Sequence, residues 1–506
     1  MTSAIRALQP PQGESLRLES MVHALSGRYV VVAGASRRVR RRRLDTFDRR
    51  LGCDGLALEH RNVATGERLV LSRADGSPTV TVTAEDLRWP ALASALPPGP
   101  VRDAIAPVTG IRALMVVSDE RRRIQSLALQ NQDGKTVARV ELDAPASPAS
   151  AVPTEVTLYP LRGYDASARR AAALLTGAGL LPLARAAPPA RPRPKLHGDD
   201  PSTVLLTTVL GGFLEAMGEN LPGLLNDVDT EFLHDFRVAV RRTRSVLKLG
   251  RPALPQVMRS RWEPAFKWLG DLTTPVRDLD VYELDLPRLE GWLVSADAAD
   301  LDAFATHLRI RRTAERRTLV RALRSTRYRR LVIEWGEELS LLASTPHHQT
   351  PGVEQQEPLS AGQLGSRCIS RAHRRVARGG AAIGADSPAG DLHALRKRCK
   401  ELRYALEVFA PVIDAAAGKR VIGDLKDLQD VLGRFQDSEV QRQALRGFAE
   451  EMMVDGTPAA AVLAMGELIG HLDLEQDRAR REFDVAFARL ERPSSLHLMH
   501  RLGGVT

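Results

Sequence analysis

The chain is poor in cysteine and in aromatic residues, and each shortage excludes a class of protein. Its 506 residues include three cysteines, Cys53, Cys368 and Cys399. They are odd in number, far apart and not spaced as metal ligands, so they predict neither a disulfide framework nor a zinc site and favour a reducing cytoplasm. Aromatic residues make up 4% of the chain. This counts against a reader of single-stranded nucleic acid, because such proteins stack bases on aromatic rings.

Long apolar runs and a secretion signal are missing as well. No window approaches the roughly 18 uninterrupted apolar residues that a membrane-spanning helix needs. Pro10 and Pro11 interrupt the N-terminus before the apolar core of a signal peptide could form. We therefore expect a cytoplasmic protein without a membrane partner.

Positive charge is what the chain has in excess. It contains 72 Lys and Arg against 62 Asp and Glu, which gives a formal net charge of +10. A basic surplus predicts an anionic partner, which could be nucleic acid, acidic lipid or a phosphate polymer.

The length predicts two to four domains, and changes in composition place their boundaries. Residues 1–183 contain short apolar runs such as RYVVVAG and TEVTLYPL, separated by Gly, Pro and Asp-Gly pairs, which is typical of β-hairpins. Residues 184–200 are proline-rich and predict a linker. Apolar residues then recur every three or four positions, which predicts helices in two segments, 201–343 and 359–492, separated by a second linker and followed by a tail. That linker is 344–358, and the tail is 493–506.

The two helical segments repeat each other at a constant offset. A shift of 159 residues is maintained across 44 residues and pairs His234 with His393, Arg237 with Arg396, Arg241 with Lys400, Arg244 with Arg403, and Lys267 with Lys426. Further along, an offset of 164 pairs His307 with His471, which is consistent with a short insertion in a loop. The repeat predicts a duplication, with two homologous helical bundles packed about a pseudo-two-fold axis.

The repeated helix carries its cations on one face. At 100° per residue, positions 0, +3, +7 and +10 lie within about 80° of one another. His234, Arg237, Arg241 and Arg244 therefore share a stripe that Lys248 continues. A matching stripe in the second half consists of His393, Arg396, Lys400 and Arg403.

Like charges stacked at this spacing repel, each pair by a few tenths of a kcal/mol, so something must neutralise them. Internal carboxylates could do so, because Asp271, Asp278, Asp430 and Asp437 recur with the repeat. An external polyanion could also do so, held by arginine forks with release of counterions. Further cations favour the polyanion: Lys267, Lys426, Arg371, Arg374, Arg375 and Arg378.

The histidine at the head of each stripe allows two interpretations. His234 and His393 could be buried residues that donate to a neighbouring Asp, or they could contact phosphate and become protonated beside the anion. A metal site is not expected, because Ala394 follows His393 and no partner histidines stand at helical spacing.

These motifs closely resemble the CHAD domain, a family named for its conserved histidines and α-helical structure. The resemblance rests on LHDFRVAVRRTRSVLKL and LHALRKRCKELRYALEVF, and it covers residues 201–492. It implies an all-α domain of two duplicated four-helix bundles with pseudo-two-fold symmetry, a basic surface that binds inorganic polyphosphate, association with polyphosphate granules, and no catalysis. The residues that match the motif are His234, Arg237, Arg241, Arg244, His393, Arg396, Lys400, Arg403 and Tyr404.

The N-terminal segment resembles the CYTH family, whose members are triphosphate-tunnel barrels. The resemblance rests on LDTFDRRLGCDGLALEHR, on ERLVLSR and on the late strand and closing helix that begin with TEVTLYPL. It implies a β-rich, tunnel-like α+β domain. The family's Glu-x-Glu-x-Lys motif is absent, because ESLRLESM offers only Glu14 and Glu19 and no Lys. We therefore expect a degenerate barrel, with Glu19, Glu141 and Glu155 as the remaining metal candidates and Mg²⁺ or Mn²⁺ needed only if the barrel is active.

Six arginines crowd into RRVRRRR, the segment Arg37–Arg43. The segment is predicted to be an exposed loop or edge strand kept soluble by charge, or else a second contact for a polyanion.

Taken as a sequence, the chain is predicted to bind inorganic polyphosphate and not to be an enzyme in its helical part. A divergent metal-dependent triphosphatase that uses the barrel is one alternative. A nucleic-acid binder is another, because duplex phosphates also suit arginine stripes. Oligomeric state and preferred polymer length are left open.

Overall fold

The computed structural model describes residues 6–11, 14, 16–63, 66–73, 80–147, 153–183, 195–344, 359–454 and 456–502. The chain divides into two compact units, Met1–Pro192 and Arg193–Thr506. Most of both predicted linkers, 184–200 and 344–358, lies outside the described residues.

The alternating runs of the N-terminal unit form one antiparallel sheet, which has nine strands in the described residues. They are β1 (Arg6–Gln9), β2 (Val30–Thr46), β3 (Leu56–Val63), β4 (Gly66–Arg73), β5 (Val80–Thr83), β6 (Leu114–Gln130), β7 (Thr136–Pro145), β8 (Glu155–Pro160) and β9 (Leu181–Pro182). Their order is β5-β4-β3-β2-β6-β7-β8-β1-β9. Strands β2 and β6, of 17 residues each, pair along their length in the middle of the sheet.

Helices cover the apolar face of this sheet. They are α1 (Leu18–Ser26), α2 (Arg50–Cys53), α3 (Pro100–Thr109) and α4 (Asp165–Gly177). Leu25 of α1 and Leu175 of α4 are buried in one apolar core with Leu127 and Val156 of the strands. Ile105 of α3 belongs to a second core over β3 and β4. The closing helix expected after the late strand is α4.

The opposite face of the sheet is polar and curls inward. Arg41 on β2 reaches Glu155 on β8 with an N–O distance of 3.0 Å. Three strand spacings separate β2 from β8, which would be about 14 Å in a flat sheet and is farther than an arginine side chain extends. The sheet therefore wraps around this polar face, which confirms the tunnel-like domain expected from the sequence.

The second unit is helical. Its first half contains α5 (Ser202–Leu225), α6 (Thr230–Leu249), α7 (Gln256–Glu290), α8 (Asp302–Leu323) and α9 (Thr326–Ser344). Its second half contains α10 (Ala361–Ala381), α11 (Ala389–Val408), α12 (Ala415–Val454), α13 (Ala459–Leu490) and α14 (Pro493–Leu502). Within the residues described, each half thus has four α-helices and a fifth that follows them. The fifth helix of the second half, α14, occupies most of the predicted tail.

The helix bounds repeat the offset found in the sequence. Shifted by 159 residues, both ends of α6 coincide with the ends of α11, and the first residues of α5 and α7 coincide with those of α10 and α12. Local signals fix two of these starts. Asp229 caps α6 by accepting from the backbone N–H of Glu231 at 3.0 Å, and Ser360 and Gln363 form a capping box at the start of α10.

Equivalent elements of the two halves contact each other, as a two-fold axis requires. Helix α5 packs against α10, and α6 packs against α11. Pro201 and Ser360, which are themselves related by the offset, form an antiparallel bridge. An apolar core that includes Tyr282, Phe304 and Leu468 joins helices of both halves. Within the described residues, no helix combines the length and the apolarity needed to cross a membrane.

Candidate functional site

A cleft of about 820 Å³ opens between α6, α7, α10 and α11. Ten cationic residues and two glutamates line it, which gives a formal net charge of +8. We call it the basic cleft. Its cations are Arg241, Arg244, Lys248, Arg251, Lys267, Arg367, Arg371, Arg375, Lys397 and Lys400, and its acids are Glu263 and Glu401.

The duplication places two of these cations together. Arg241 and Lys400 are equivalent by the offset and line the same cleft. The Arg241 guanidinium lies over the ring of Tyr404, 5.9 Å from its centroid, a cation–π arrangement that crosses between the halves.

The pKa of Lys400 reflects both its burial and the positive charge around it. Its side chain is half-buried. Burial, together with the positive charges of Arg396 and Arg241, lowers the pKa of Lys400 to about 8. A lysine whose pKa falls this far lies where the protein supplies too little negative charge to compensate it. An anion bound in the cleft would supply that charge.

Few of the cations have carboxylate partners. Glu401 binds both Lys248 and Arg375, Arg251 lies 3.5 Å from Glu263, and Lys267 pairs at 2.6 Å with Asp271. Across the part of the chain that the structure describes, no ion pair is formed by Arg241, Arg244, Arg367, Arg371, Lys397 or Lys400. Six cations therefore face the cleft without a partner of opposite charge among the described residues.

A second cleft of about 1050 Å³, which we call the mixed-charge cleft, lies along α12 and α13. Five arginines and four acids line it. Arg396 pairs with Asp437 at 3.0 Å, Arg489 with Asp427 at 2.7 Å, and Arg434 with Glu482. Although it is larger, this cleft is nearly neutral, so it suits a polyanion less well than the basic cleft does.

The structure divides the residues predicted for the site into two groups. Those that line the basic cleft are Arg241, Arg244, Lys248, Lys267, Arg371, Arg375, Lys400 and Tyr404. Those that do not line it are His234, Arg237, Arg374, Arg378, His393, Arg396, Arg403 and Lys426. The residues at the start of both stripes belong to the second group, because the cleft is bordered by the later turns of α6 and α11.

Several residues outside the cleft have internal partners instead. Arg237 donates to the hydroxyls of Thr273 at 3.1 Å and Thr274 at 2.8 Å, and burial lowers its pKa. Arg403 donates to Glu407 at 2.8 Å. Glu407 therefore neutralises Arg403 from within the protein, whereas the partners of Arg237 are uncharged hydroxyls.

The two histidines do not line the cleft. His234 is half-buried, and burial together with the positive Arg277 lowers its pKa, so the imidazole is neutral near pH 7 in the free protein. The Nδ1 atom of His393 is buried and finds no hydrogen-bond partner among the described residues. Their protonation beside a phosphate remains a prediction.

Three cations that line the basic cleft were not predicted from the sequence: Arg251, Arg367 and Lys397. The positions equivalent to Arg367 and Lys397 hold Thr208 and Val238, so the repeat did not reveal them. Helical spacing could have done so, because Arg367 lies four residues before Arg371 and Lys397 three before Lys400.

The polar face of the N-terminal sheet is internally neutralised. Arg41, which is 1% exposed, contacts Asp143 at 3.1 Å and Glu155 at 3.0 Å. Arg122 donates to Asp143 at 2.6 Å. Further pairs include Arg41–Glu120 at 3.3 Å, Arg43–Glu155 at 2.7 Å and Arg61–Glu59 at 2.7 Å. Burial opposes ionisation of Glu59, but Arg61 and Arg41 lower its pKa to about 2.

The prediction that Arg37–Arg43 forms an exposed loop or an edge strand is wrong for residues 40–43, whereas residues 37–39 lie where the one described partner of β2 is β6. Residues 40–43 belong to β2, which pairs there with both β3 and β6, and five of the six arginines have a carboxylate partner: Arg37, Arg40, Arg41, Arg42 and Arg43. The sequence could not show which acids on other strands would lie opposite them.

The metal candidates of the barrel are not brought together either. Glu19 is exposed on α1, Glu141 pairs with Arg37 at 2.8 Å, and Glu155 is held by Arg41 and Arg43. Glu59, Glu120 and Asp143, which also lie among these arginines, were not predicted from the sequence. Among the residues that the structure describes, no group of His, Cys, Asp or Glu is arranged to hold a metal ion.

Comparison with known proteins finds a family whose model matches part of the helical unit. The model of the CHAD domain family matches residues 208–446, which lie in the helical unit. An uncharacterized protein of Mycobacterium tuberculosis, Rv2226, is 29% identical over 272 residues, which are 51% of this chain and 48% of that protein. The chain thus spans about half the length of the curated relatives it matches.

Two solved structures align with different parts of the chain. The CHAD domain from the plant Ricinus communis is 26% identical, covers 60% of this chain and 96% of its own, and has a TM-score of 0.49. A protein from Bacillus halodurans aligns with the N-terminal part at 14% identity. It covers 38% of this chain and 95% of its own, and has a TM-score of 0.25.

Proposed function

We propose that this CHAD-domain protein binds inorganic polyphosphate in the basic cleft. The observation that carries the proposal is the imbalance of ten cations against two acids, with six of the cations outside any ion pair among the described residues. A polyphosphate chain presents a regular series of non-bridging oxygens, which guanidinium groups bind with two parallel hydrogen bonds. The family of the matching domain is linked to polyphosphate, which supports the same ligand.

Binding relieves the repulsion within the cleft. The phosphates replace the counterions that otherwise screen the unpaired cations, and release of those counterions makes affinity fall as salt concentration rises. The negative ligand also raises the lowered pKa of Lys400, so that protonation of this lysine and binding of the polymer favour each other. The ring of Tyr404 lies 5.9 Å from the Arg241 guanidinium, and this cation–π contact favours the position of Arg241 at the cleft.

A long polymer extends beyond a single cleft. Its remaining phosphates are then available to further protein molecules, and the high local concentration of sites along one polymer raises apparent affinity with chain length. This multivalency would gather the protein on polyphosphate granules.

The alternative enzymatic function finds less support. A triphosphatase that works through a divalent metal needs converging carboxylates that are free to bind it. In the N-terminal sheet, Glu59, Glu120, Asp143 and Glu155 are each engaged by arginine. The N-terminal unit is therefore proposed to be a structural or regulatory domain.

The test is the affinity of the full chain for long-chain polyphosphate across a salt series, with duplex DNA as competitor at equal phosphate concentration. We expect tight binding, with the logarithm of the affinity falling linearly with the logarithm of the salt concentration. We also expect that DNA does not displace the bound polyphosphate. Ready displacement by DNA would identify a nucleic-acid site instead, and no measurable binding at low salt would overturn the proposal.

A further inference from the structure

The two halves of the helical unit share a fold but differ in the charge of their first helix. Helices α5 and α10 align at the offset of 159, because the same positions are buried in both. Leu205, Leu210 and Met217 of α5 correspond to the buried Leu364, Ile369 and Val376 of α10. Equivalent surface positions can therefore be compared one by one.

That comparison shows a reversal of charge. Helix α10 presents Arg367, Arg371, Arg374, Arg375 and Arg378, all exposed. The equivalent positions of α5 hold Thr208, Gly212, Glu215, Ala216 and Glu219. Five positive charges on one helix thus correspond to two negative charges on the other, which is a difference of seven charges between duplicated surfaces.

The same divergence continues at the edge of the basic cleft. Lys248, which lines the cleft, corresponds to Glu407, which binds Arg242 at 3.0 Å and Arg403 at 2.8 Å. Arg244, without an ion pair among the described residues, corresponds to Arg403, which has one. The side of the unit bounded by α10 is therefore strongly positive, whereas its pseudo-symmetric counterpart beside α5 is neutralised.

We propose that polyphosphate follows one path along the helical unit and not two symmetric ones. The polymer contacts Arg241 and Lys400, which the duplication brings together, and continues along α10 past Arg371 and Arg367. The face that α5 and the last turns of α11 present on the pseudo-symmetric side does not bind it. This inference rests on the proposed function and adds that the two duplicated halves contribute unequally to binding.

The duplication supplies matched pairs of variants for the test. Arg244 and Arg403 are equivalent, and so are Lys267 and Lys426, but only the first member of each pair lines the basic cleft. The double variant R244Q/K267Q is compared with R403Q/K426Q in the full chain. Both remove two positive charges, so the effect of net charge is the same in both.

We expect R244Q/K267Q to weaken binding of long-chain polyphosphate about tenfold or more and to reduce the slope of log affinity against log salt by about 1.4, from about 0.7 for each lost phosphate contact. We expect R403Q/K426Q to change affinity less than about threefold. Equal losses in the two variants would overturn the single path while leaving polyphosphate binding intact. Absence of binding in the wild type would instead overturn the proposed function.

A second measurement does not depend on substitutions. Calorimetric titration of the full chain with a short polyphosphate that fits one cleft should give one ligand per protein molecule. Two equal sites per molecule would show that both symmetric faces bind, and the inference would be wrong.

Discussion

The basic cleft and the polar face of the N-terminal sheet are both rich in arginine, but their arginines differ in burial and in ion pairing. In the sheet, Arg41 and Arg122 are buried and surrounded by carboxylates. In the cleft, Arg244 and Arg371 are exposed and form no ion pair in the described part of the chain. A count of arginines therefore does not identify a binding surface. What identifies it is where the carboxylates lie.

Secondary structure explains much of the difference. Neighbouring strands lie about 4.8 Å apart, so acids on β6, β7 and β8 come within reach of arginines on β2 once the sheet curls. In the helical unit, the acids that line the basic cleft among the described residues are Glu263 and Glu401, against ten cations. The first region is neutralised from within, whereas the second keeps a surplus of positive charge.

The largest expected effect separates the two kinds of arginine. Arg41→Met would leave Asp143 and Glu155 partly uncompensated in a buried site, so we expect it to lower the free energy of unfolding of the N-terminal unit by about 3–5 kcal/mol. Arg241→Met removes an exposed charge and should leave unfolding within about 0.5 kcal/mol of the wild type. Urea unfolding followed by circular dichroism measures both, and comparable losses in the two variants would contradict the distinction.

Charge reversal tests the cleft itself. R241E/K400E replaces two cations at the centre of the basic cleft, and we expect affinity for polyphosphate to fall more than about 100-fold while helicity is retained. The matched control is R434E/R489E in the mixed-charge cleft, which changes the net charge by the same amount. A similar loss in the control would mean that overall charge, and not the cleft, determines binding.

The pH dependence of polyphosphate binding tests the contribution of Lys400. Because its pKa is about 8 in the free protein, the lysine is charged at pH 7 and largely neutral at pH 9. Affinity for polyphosphate should therefore fall by about fivefold over this interval, at constant salt. Lys400→Arg stays charged throughout, so it should make this part of the pH dependence disappear, and an unchanged profile would exclude Lys400 from the site.

The smallest effect concerns stability without ligand. The pKa of Lys400 is lower in the folded protein than its ordinary value of 10.5, so the charged lysine opposes folding below about pH 8, and this cost declines as pH rises toward 10.5. Lys400→Met should therefore stabilise the free protein at pH 7 by about 1 kcal/mol, after allowance for partial exposure. The gain should shrink at pH 10, and urea unfolding at the two pH values measures it.

Much of the helical unit could be predicted because its signals are local. Apolar spacing and capping residues such as Asp229 and Ser360 define helices over short stretches, and the repeat of His234 at His393 aligned the two halves. The contents of the cleft were only partly predictable. Arg237 and Arg241 share a helical stripe in sequence, but only Arg241 lies where α6, α10 and α11 leave a gap.

The N-terminal sheet was harder to predict because its contacts are distant in sequence. Arg41 and Glu155 are 114 residues apart in the chain. Nothing in the local pattern of RRVRRRR indicates that the segment would become a central strand.

The sequence by itself determined the order of a β-rich and a duplicated helical region, the surplus of positive charge and the helix faces that carry it, because periodicity and composition act over a few turns or strands. Only the tertiary structure decided which cations remain without a carboxylate, because that depends on how distant segments meet. Strand pairing placed acids around Arg41, whereas the packing of α6, α7, α10 and α11 gathered Arg241, Lys400 and Arg371 around one open cleft.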